Sequence, residues 1–260
     1  MKTDTPILFK VEPDSGVGVL TLNRPDRLNA FTRGMIDAWR NALGQVAGNS
    51  DVRCLVVTGA GKAFCAGGDM DDLESFLEAD ALARKNYLWE HVQQIPLLLE
   101  RIDCPVIAAI NGTARGAGLD MALMCDLRIM DAEAVVAESY INMGLVPGDG
   151  GAWFLPRLVG LSRALEMLWT GDAVGADAAL QMGLVNRVAP AGGALAMSLE
   201  LARRIAKQPA QPVRMIKRLA QQGLTMTLRA HLDQVSSHMA VVEDLPEFRE
   251  RLRQFRERGR

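Results

Sequence analysis

Two glycine-rich turns, each directly after a strongly apolar segment, constrain the fold of this chain more than any other feature. The first lies within residues 54–70, CLVVTGAGKAFCAGGDM, and the second within residues 105–120, PVIAAINGTARGAGLD. Each continuous apolar run predicts a buried strand, and each small-residue loop can turn backbone N–H groups outward. Two such loops brought together would offer two backbone donors to one oxygen, the arrangement that stabilises an enolate or a tetrahedral oxyanion.

The composition is that of an ordinary globular protein. The 260 residues are 49% hydrophobic and 23% charged, and the formal net charge is −2. A length in this range is enough for one large domain or for a domain plus an appendage. This balance gives no reason to expect nucleic acid or an acidic membrane surface as a partner.

The cysteines and the termini indicate neither a metal site nor a membrane anchor. Cys54, Cys65, Cys104 and Cys125 form no CxxC pair and have no nearby histidine, which favours small buried side chains. The segment 1–6 lacks the apolar stretch of a secretory signal, and no apolar run approaches the ~20 residues that span a bilayer. We therefore expect a cytoplasmic protein without a metal.

The first half of the chain alternates strands, loops and helices. Residues 7–23 predict a hairpin, 31–43 a helix, and 71–101 carries apolar residues at helical intervals. Buried strands are expected at 52–58, 105–110 and 127–130, with a short helix at 119–125. Because this succession recurs, with Gly68 and Gly118 at comparable places, it predicts stacked ββα turns.

From Gly151 onward the pattern is almost wholly helical. Helices are expected at 150–159, 162–169, 175–182, 193–207, 211–222, 225–242 and 245–258, separated by glycine and proline residues. The apolar stripes of several of these helices favour packing on another subunit.

Five segments in this order resemble the crotonase family, the enoyl-CoA hydratases and isomerases. They are residues 22–30, 64–70, 111–126, 144–151 and 183–188. The resemblance implies an α/β fold, a crotonase-like spiral of ββα turns with a C-terminal helical trimerisation region. It places a core with a CoA-thioester site at 1–190 and a helical oligomerisation region at 191–260. The implied partner is an acyl-CoA thioester, with no separate cofactor because CoA belongs to the substrate, and the implied assembly is a homotrimer or a hexamer.

The resemblance also assigns the oxyanion donors and the CoA-binding residues. The donors would be the backbone N–H groups of Ala66 and Ala117, at places where a carbonyl must approach the main chain closely. Tight turns without a ligand are the alternative for either loop alone. The residues that the resemblance places around the CoA arm are Arg27, Gly67, Gly68, Asp69 and Met70, together with the two donors.

The acid–base positions depart from the paired glutamates of family hydratases. The first falls on Asp120, which keeps a carboxylate, and the second on Tyr140, whose phenol is a poor base but a usable donor. The alternative for Asp120 is a carboxylate at a helix start that is stabilised by the helix dipole and has no catalytic role. The alternative for Tyr140 is a side chain that only packs.

Two further carboxylates lie close by in the sequence. Glu138 would share a face with Tyr140 in an extended segment, although a solvated side chain is the favoured interpretation. Asp149 is either a catalytic carboxylate beside the pocket or the N-cap of the helix expected at 150–159, and the cap is favoured.

Hydration of a 2-enoyl-CoA is the reaction that this reasoning favours, through a thioester enolate held in the backbone oxyanion hole. Enoyl-CoA double-bond isomerisation needs only one carboxylate that carries a proton, and acyl-CoA decarboxylation needs chiefly the oxyanion hole and a donor. A CoA-binding homologue without catalysis is a further alternative. A nucleotide-binding protein is disfavoured because neither loop is GxxxxGK[ST] or opens a βαβ unit with GxGxxG.

Overall fold

The computed structural model describes residues 5–258. The expectation about the N-terminal segment 1–6 falls largely outside them, as do residues 259 and 260. Within the described residues, no helix is long and apolar enough to cross a membrane.

Ten strands and twelve α-helices follow one another in the described chain. The strands are β1 Ile7–Val11, β2 Val17–Leu22, β3 Cys54–Gly59, β4 Ala63–Cys65, β5 Val106–Ile110, β6 Thr113–Arg115, β7 Leu127–Asp131, β8 Val135–Ala137, β9 Val174–Gly175 and β10 Arg187–Ala189. The helices are α1 Arg33–Ala47, α2 Met70–Phe76, α3 Ala81–Tyr87, α4 Gln94–Arg101, α5 Ala117–Leu123, α6 Gly151–Val159, α7 Leu161–Thr170, α8 Ala176–Gln181, α9 Ala194–Ala206, α10 Ala210–Gly223, α11 Leu228–Glu243 and α12 Pro246–Arg258.

The larger sheet has six strands in the order β1-β2-β3-β5-β7-β10. Strands β1 and β2 form the antiparallel hairpin that the sequence predicts. From β2 to β10 every neighbouring pair is parallel. The glycine-rich turns after β3 and β5 therefore leave the same edge of the sheet, because the carboxyl ends of parallel strands lie together.

A second sheet contains the short strands in the order β4-β6-β8-β9. Each of β3, β5 and β7 is followed within a few residues by one of these short strands, and β4 and β6 are then followed by a helix. The expected stacking of ββα turns is confirmed. The short strands were not predicted, since three residues among glycines show no alternation of apolar and polar side chains.

Alternate residues of the larger sheet serve two separate cores. Leu55 and Val57 of β3 pack on the side of α1 and α4, whereas Cys54 and Val56 pack on the side of α9. All four are fully buried. This period-2 alternation, with apolar side chains on both faces, explains why the sequence reads as continuous apolar runs.

Helix boundaries differ from the expectations where a side chain or a bridge ends the helix. Helix α1 begins at Arg33 rather than at 31, because the Thr32 side chain accepts from Met35 N and caps it. Phe31 instead forms a bridge with Gly68. The expected helical stretch 71–101 is divided into α2, α3, a π-turn at Leu88–Val92 and α4.

The C-terminal helices attach to the opposite edge of the sheet from the glycine loops. Lys217 of α10 lies 2.7 Å from the Asp126 carboxylate and donates to Cys104 O, beside the starts of β7 and β5. Helix α9 is different, since its Ala194, Leu201 and Ala202 belong to the core against the sheet. The first helix of the region 191–260 is thus part of the core.

The two glycine loops touch backbone to backbone. A Cβ added to Gly118 would lie 2.1 Å from Cys65 O, and one added to Gly67 would lie 2.9 Å from Arg115 O. Neither contact leaves room for a side chain. The glycines at these two positions therefore set how closely the loops approach.

We predict that Gly118→Ala lowers the free energy of unfolding by about 1–3 kcal/mol, because the new methyl group forces the loops apart. Gly44→Ala is the matched control: Gly44 lies inside α1 with nothing within 4 Å of its Cβ position, and alanine there should stabilise the helix by about 0.5–1 kcal/mol. Urea unfolding measures both. Equal stability of Gly118→Ala and the wild type would contradict the close contact.

Candidate active site

The first glycine loop is fixed by the segment 24–31. Leu28 and Asn29 adopt left-handed backbone conformations, with φ of 49° and 58°. Leu28 O accepts from Ala66 N at 3.0 Å, and the Asn29 side-chain amide donates to Ala60 O and Ala63 O. The family resemblance includes this segment but does not predict that Leu28 and Asn29 hold the first glycine loop. The only local signal is that asparagine tolerates positive φ.

The backbone N–H of Ala66 is not available as an oxyanion donor, and that expectation is corrected here. It is already bonded to Leu28 O. Phe31 N donates to Gly67 O and Asp69 N donates to Phe31 O, both at 2.8 Å, so Gly68 is bracketed by a bridge that turns its own N–H away. Gly68 is exposed, and its N–H donates to no atom of residues 5–258.

The second glycine loop presents Ala117 at the first position of α5. Gly116, with φ of 49°, turns the chain into the helix. As a first-turn N–H, that of Ala117 has no partner within the helix, and it has none among the other described residues. A Cβ added to Gly67 would lie 3.9 Å from Ala117 N, which places Ala117 N beside the first loop.

Asp120, Tyr140 and Asp149 come together in one hydrogen-bonded group. The Tyr140 hydroxyl lies 2.7 Å from Asp120 Oδ2 and 3.3 Å from Asp149 Oδ2. The Tyr140 ring also lies against Gly116, 3.7 Å from that residue's Cβ position. The acidic group therefore adjoins the loop that carries Ala117.

Glu138 is buried, so the favoured expectation of a solvated side chain is wrong. Its exposure is 1%, and that of Asp120 is 0%. A Cβ added to Gly151 would lie 2.1 Å from Asp120 Oδ1 and 2.9 Å from Glu138 Oε1. The two carboxyl groups thus meet at Gly151, where only a glycine leaves them room. In the sequence, the Gly150-Gly151 pair is the feature that could have indicated close packing of side chains at this point.

Asp149 does not cap α6, and that expectation is also corrected. The N-cap residue is Gly150, with φ of 114°, and no side chain bonds to the first turn. The Gln93 side chain donates to Gly148 O at 2.9 Å and fixes the turn that carries Asp149. Since glycine can cap by itself, the Asp149 carboxyl group is left for Tyr140.

The pKa values of this group are shifted together by burial. Burial and the charge of Asp120 raise the pKa of Asp149 from 3.8 to about 7, against a lowering by the Tyr140 hydrogen bond. Burial, then the charge of Asp120, raises the pKa of Glu138 to about 10. Burial also raises the pKa of Asp120 and of Tyr140, which keeps the phenol neutral. A carboxyl group with a pKa near 7 suits general acid–base chemistry.

Of the residues expected around the CoA arm, Asp69 and Met70 lie at the start of α2, and Arg27 lies in the segment 24–31. Met70 is exposed, and Arg27 is exposed and pairs with Asp71 at 3.3 Å. The Asp69 carboxylate is occupied, since it accepts from Asp71 N and pairs with Arg24 at 3.0 Å. Asp69 therefore holds the loop, whereas Arg27 and Met70 are accessible.

The thiols of the four cysteines are buried, and a separate cleft lies away from the acidic group. All four cysteines are free and buried, and burial raises the pKa of Cys65 to about 12. A cleft of about 710 Å³ lies between the β1–β2 turn and α9, and the site residues do not line it. Among residues 5–258, no cluster of His, Cys, Asp and Glu is arranged to hold a metal ion.

Comparison with known proteins decides the family. The family described as enoyl-CoA hydratase/isomerase matches residues 12–260. The chain belongs to the enoyl-CoA hydratase/isomerase family, the crotonases. It is 35% identical over 248 residues to 1,2-epoxyphenylacetyl-CoA isomerase of Escherichia coli, covering 94% of this chain and 92% of that one. It is 37% identical over 213 residues to the mitochondrial enoyl-CoA hydratase of Pongo abelii, covering 82% and 71%.

Solved crotonase structures share the whole fold. The enoyl-CoA hydratase of Bacillus anthracis superposes with a TM-score of 0.90 at 30% identity, covering 97% of this chain and 96% of that one. The chain is therefore a crotonase-family acyl-CoA enzyme. The names of its relatives include both an isomerase and a hydratase. The reaction of this chain must therefore be inferred from the side chains of its own site.

We predict that Asp149→Asn stabilises the protein above neutral pH. An acid whose pKa is higher when folded destabilises the fold as the pH rises from its unfolded value near 3.8 to its folded value near 7. Asparagine removes this penalty, so the gain should be small at pH 4 and reach up to about 4 kcal/mol above pH 7, at 1.36 kcal/mol per pKa unit.

Unfolding by urea at pH 4.5, 6 and 8 measures the gain, with the exposed Asp26→Asn as control. A gain for Asp149→Asn that is the same at all three pH values would contradict the burial of a titrating carboxyl group.

Proposed function

We propose that this crotonase isomerises the double bond of an enoyl-CoA thioester. Gly68 N–H and Ala117 N–H hold the thioester oxygen, and Asp149 carries a proton between two carbons of the acyl chain. The CoA thioester is the substrate, and the reaction needs no further cofactor.

The two free backbone donors support the oxyanion part of this proposal. The two loops that carry them pack against each other, and neither N–H donates a hydrogen bond to any atom of residues 5–258. Ala117 N–H also lies at the N-terminus of α5, where the partial positive charge of the helix favours a developing negative charge. Preorganised donors of this kind are worth more in a buried site than in water.

Asp149 is the carboxyl group best placed to reach a substrate. Asp120 and Glu138 each have carboxyl oxygens that are fully enclosed and have no hydrogen-bond partner among the described residues. Asp149 has no enclosed oxygen of this kind. Its Oδ2 lies 3.3 Å from the Tyr140 hydroxyl oxygen, and its Oδ1 accepts no hydrogen bond from residues 5–258. With a pKa of about 7, it can take a proton and return it at neutral pH.

The sequence alone favours hydration, but the position of the Tyr140 hydroxyl supports isomerisation instead. Addition of water by two carboxylates needs a water held between them, and here the phenol oxygen lies between Asp120 Oδ2 and Asp149 Oδ2. Isomerisation needs one base. Asp149 removes a C2 proton of a 3-enoyl-CoA, and the C–H electron pair forms a C1–C2 double bond as negative charge moves onto the thioester oxygen. The protonated Asp149 then gives the proton to C4, the double bond forms between C2 and C3, and the thioester carbonyl is restored.

Hydration is the second candidate, supported by the pair formed by Asp120 and Asp149. Turnover of trans-3-hexenoyl-CoA and crotonyl-CoA in ¹⁸O-labelled water, followed by mass spectrometry, separates the two reactions. We expect 2-hexenoyl-CoA without ¹⁸O and little 3-hydroxyacyl-CoA. We expect a loss of kcat of about 100-fold or more in Asp149→Asn, with Asp26→Asn as control.

Rapid formation of ¹⁸O-labelled 3-hydroxyacyl-CoA would favour hydration instead. Release of CO₂ from a malonyl thioester would favour decarboxylation, and tight CoA-thioester binding without turnover would favour a binding protein.

The position of Ala117 gives a clean test of the oxyanion donors. Proline is well tolerated at the first position of a helix because that N–H makes no intrahelical bond. Ala117→Pro should therefore keep the free energy of unfolding close to wild type and lower kcat by about 10²–10³-fold. Ala117→Gly keeps the N–H and is the matched control. Wild-type kcat in Ala117→Pro would rule out this donor.

We also propose that the protein is cytoplasmic and forms a homotrimer or a dimer of trimers through the C-terminal helices. Support comes from large apolar side chains exposed on α10, α11 and the turn between them, such as Ile216, Leu224, Leu228 and Leu232. Sedimentation equilibrium should give three or six times the mass of one chain. A monomer would contradict the assembly.

A further inference from the structure

Glu138 and Asp120 form a buried carboxyl pair in which too many oxygens lack a donor. Asp120 Oδ1 and both carboxyl oxygens of Glu138 are enclosed and accept no hydrogen bond from the described residues. The two groups meet at Gly151, whose Cβ position is 2.1 Å from Asp120 Oδ1 and 2.9 Å from Glu138 Oε1. No salt bridge within residues 5–258 involves either carboxyl group.

A proton shared between Glu138 and Asp120 would supply the missing hydrogen-bond donor. Two ionised carboxylates can only accept hydrogen bonds, and they repel each other strongly at such a distance in a buried site. If one of them is protonated, it becomes a donor to the other, and an oxygen on each side gains a partner. A buried polar group without a partner is otherwise strongly destabilising.

We propose that Glu138 is a positioning residue that stays protonated and donates its carboxyl proton to Asp120, so that Asp120 remains an anion that holds the Tyr140 hydroxyl. The carboxyl group of Glu138 touches no substrate in this scheme. It acts through Asp120 and Tyr140 on Asp149, and its kinetic consequence rests on the proposed function.

The surroundings decide which of the two groups holds the proton. Asp120 accepts the Tyr140 O–H at 2.7 Å, and this bond favours its ionised form. Glu138 has no such donor. The titratable groups that act on Glu138 are Asp120 and Asp149, both of which favour its neutral form, and its pKa of about 10 agrees with this assignment.

The resulting chain of hydrogen bonds has a direction. Glu138 and Tyr140 both donate to Asp120, which leaves the lone pairs of the Tyr140 oxygen facing Asp149 Oδ2 at 3.3 Å. When Asp149 has taken a proton from the substrate, it can donate that proton to the Tyr140 oxygen and be held in place. If Glu138 did not donate, Asp120 would take up a proton itself and the Tyr140 hydroxyl would lose its anionic acceptor.

Infrared spectroscopy of the ligand-free protein tests the protonation without any enzyme assay. At pH 8.5, where Asp149 is ionised, we expect a C=O stretching band of a protonated carboxyl group that disappears in Glu138→Gln. Glu133→Gln, an exposed glutamate of the same segment, is the control and should keep the band. A missing band in the wild type, or a band that persists in Glu138→Gln, would overturn the proposal.

Kinetics tests the positioning role. Glu138→Met removes the donor at similar size, and we expect kcat to fall at least about tenfold with little change in KM. The acid limb of the pH profile should move to lower pH, because a protonated Asp120 no longer raises the pKa of Asp149. Glu138→Gln keeps an N–H donor and should recover most of the lost kcat and the original acid limb.

A role in packing alone predicts a different pattern, in which both variants lose stability and neither moves the acid limb. That pattern would overturn the positioning role. If no variant or wild type isomerises any enoyl-CoA, the proposed function fails, but the infrared result still decides the protonation of Glu138.

Discussion

The backbone contact between Gly118 and Cys65 sets the distance between the two glycine loops. Parallel pairing of β3 and β5 brings the loops to one edge of the sheet, but only the missing side chains let them touch. The loops that carry Gly68 N–H and Ala117 N–H, the two proposed oxyanion donors, approach each other through this contact and not through any side chain. A site made of main-chain donors would depend on the backbone conformation more than on particular side chains, which agrees with the small residues Gly68 and Ala117.

The second constraint is the burial of three carboxyl groups without a salt-bridge partner among residues 5–258. Asp120, Glu138 and Asp149 are each at most 5% exposed, so they cannot all be ionised at neutral pH. Protons and the Tyr140 hydroxyl take the place of a counter-ion. This arrangement reduces stability above neutral pH, and in return it leaves Asp149 with a pKa suited to proton transfer.

Much of the fold could be predicted because its signals are local. Continuous apolar runs gave β3, β5 and β7, and glycine and proline residues marked the C-terminal helices. The proposed oxyanion donors could not be placed as well: Ala66 and Gly68 are two residues apart in the same loop, and only the bond from Ala66 N to Leu28 O distinguishes them. The proposed role of Asp149 depends on the neighbouring Gly150 serving as the helix cap, and the burial of Glu138 depends on packing around Gly151. Neither follows from residue spacing.

The most direct measurement is a crystal structure of the protein with a saturated thioester such as hexanoyl-CoA, which binds but has no double bond to move. We expect the thioester oxygen to lie within about 2.7–3.1 Å of both Gly68 N and Ala117 N, with the Asp149 carboxyl group facing the acyl chain. A thioester oxygen bonded to Ala66 N, or one beyond hydrogen-bond reach of Gly68 and Ala117, would contradict this expectation.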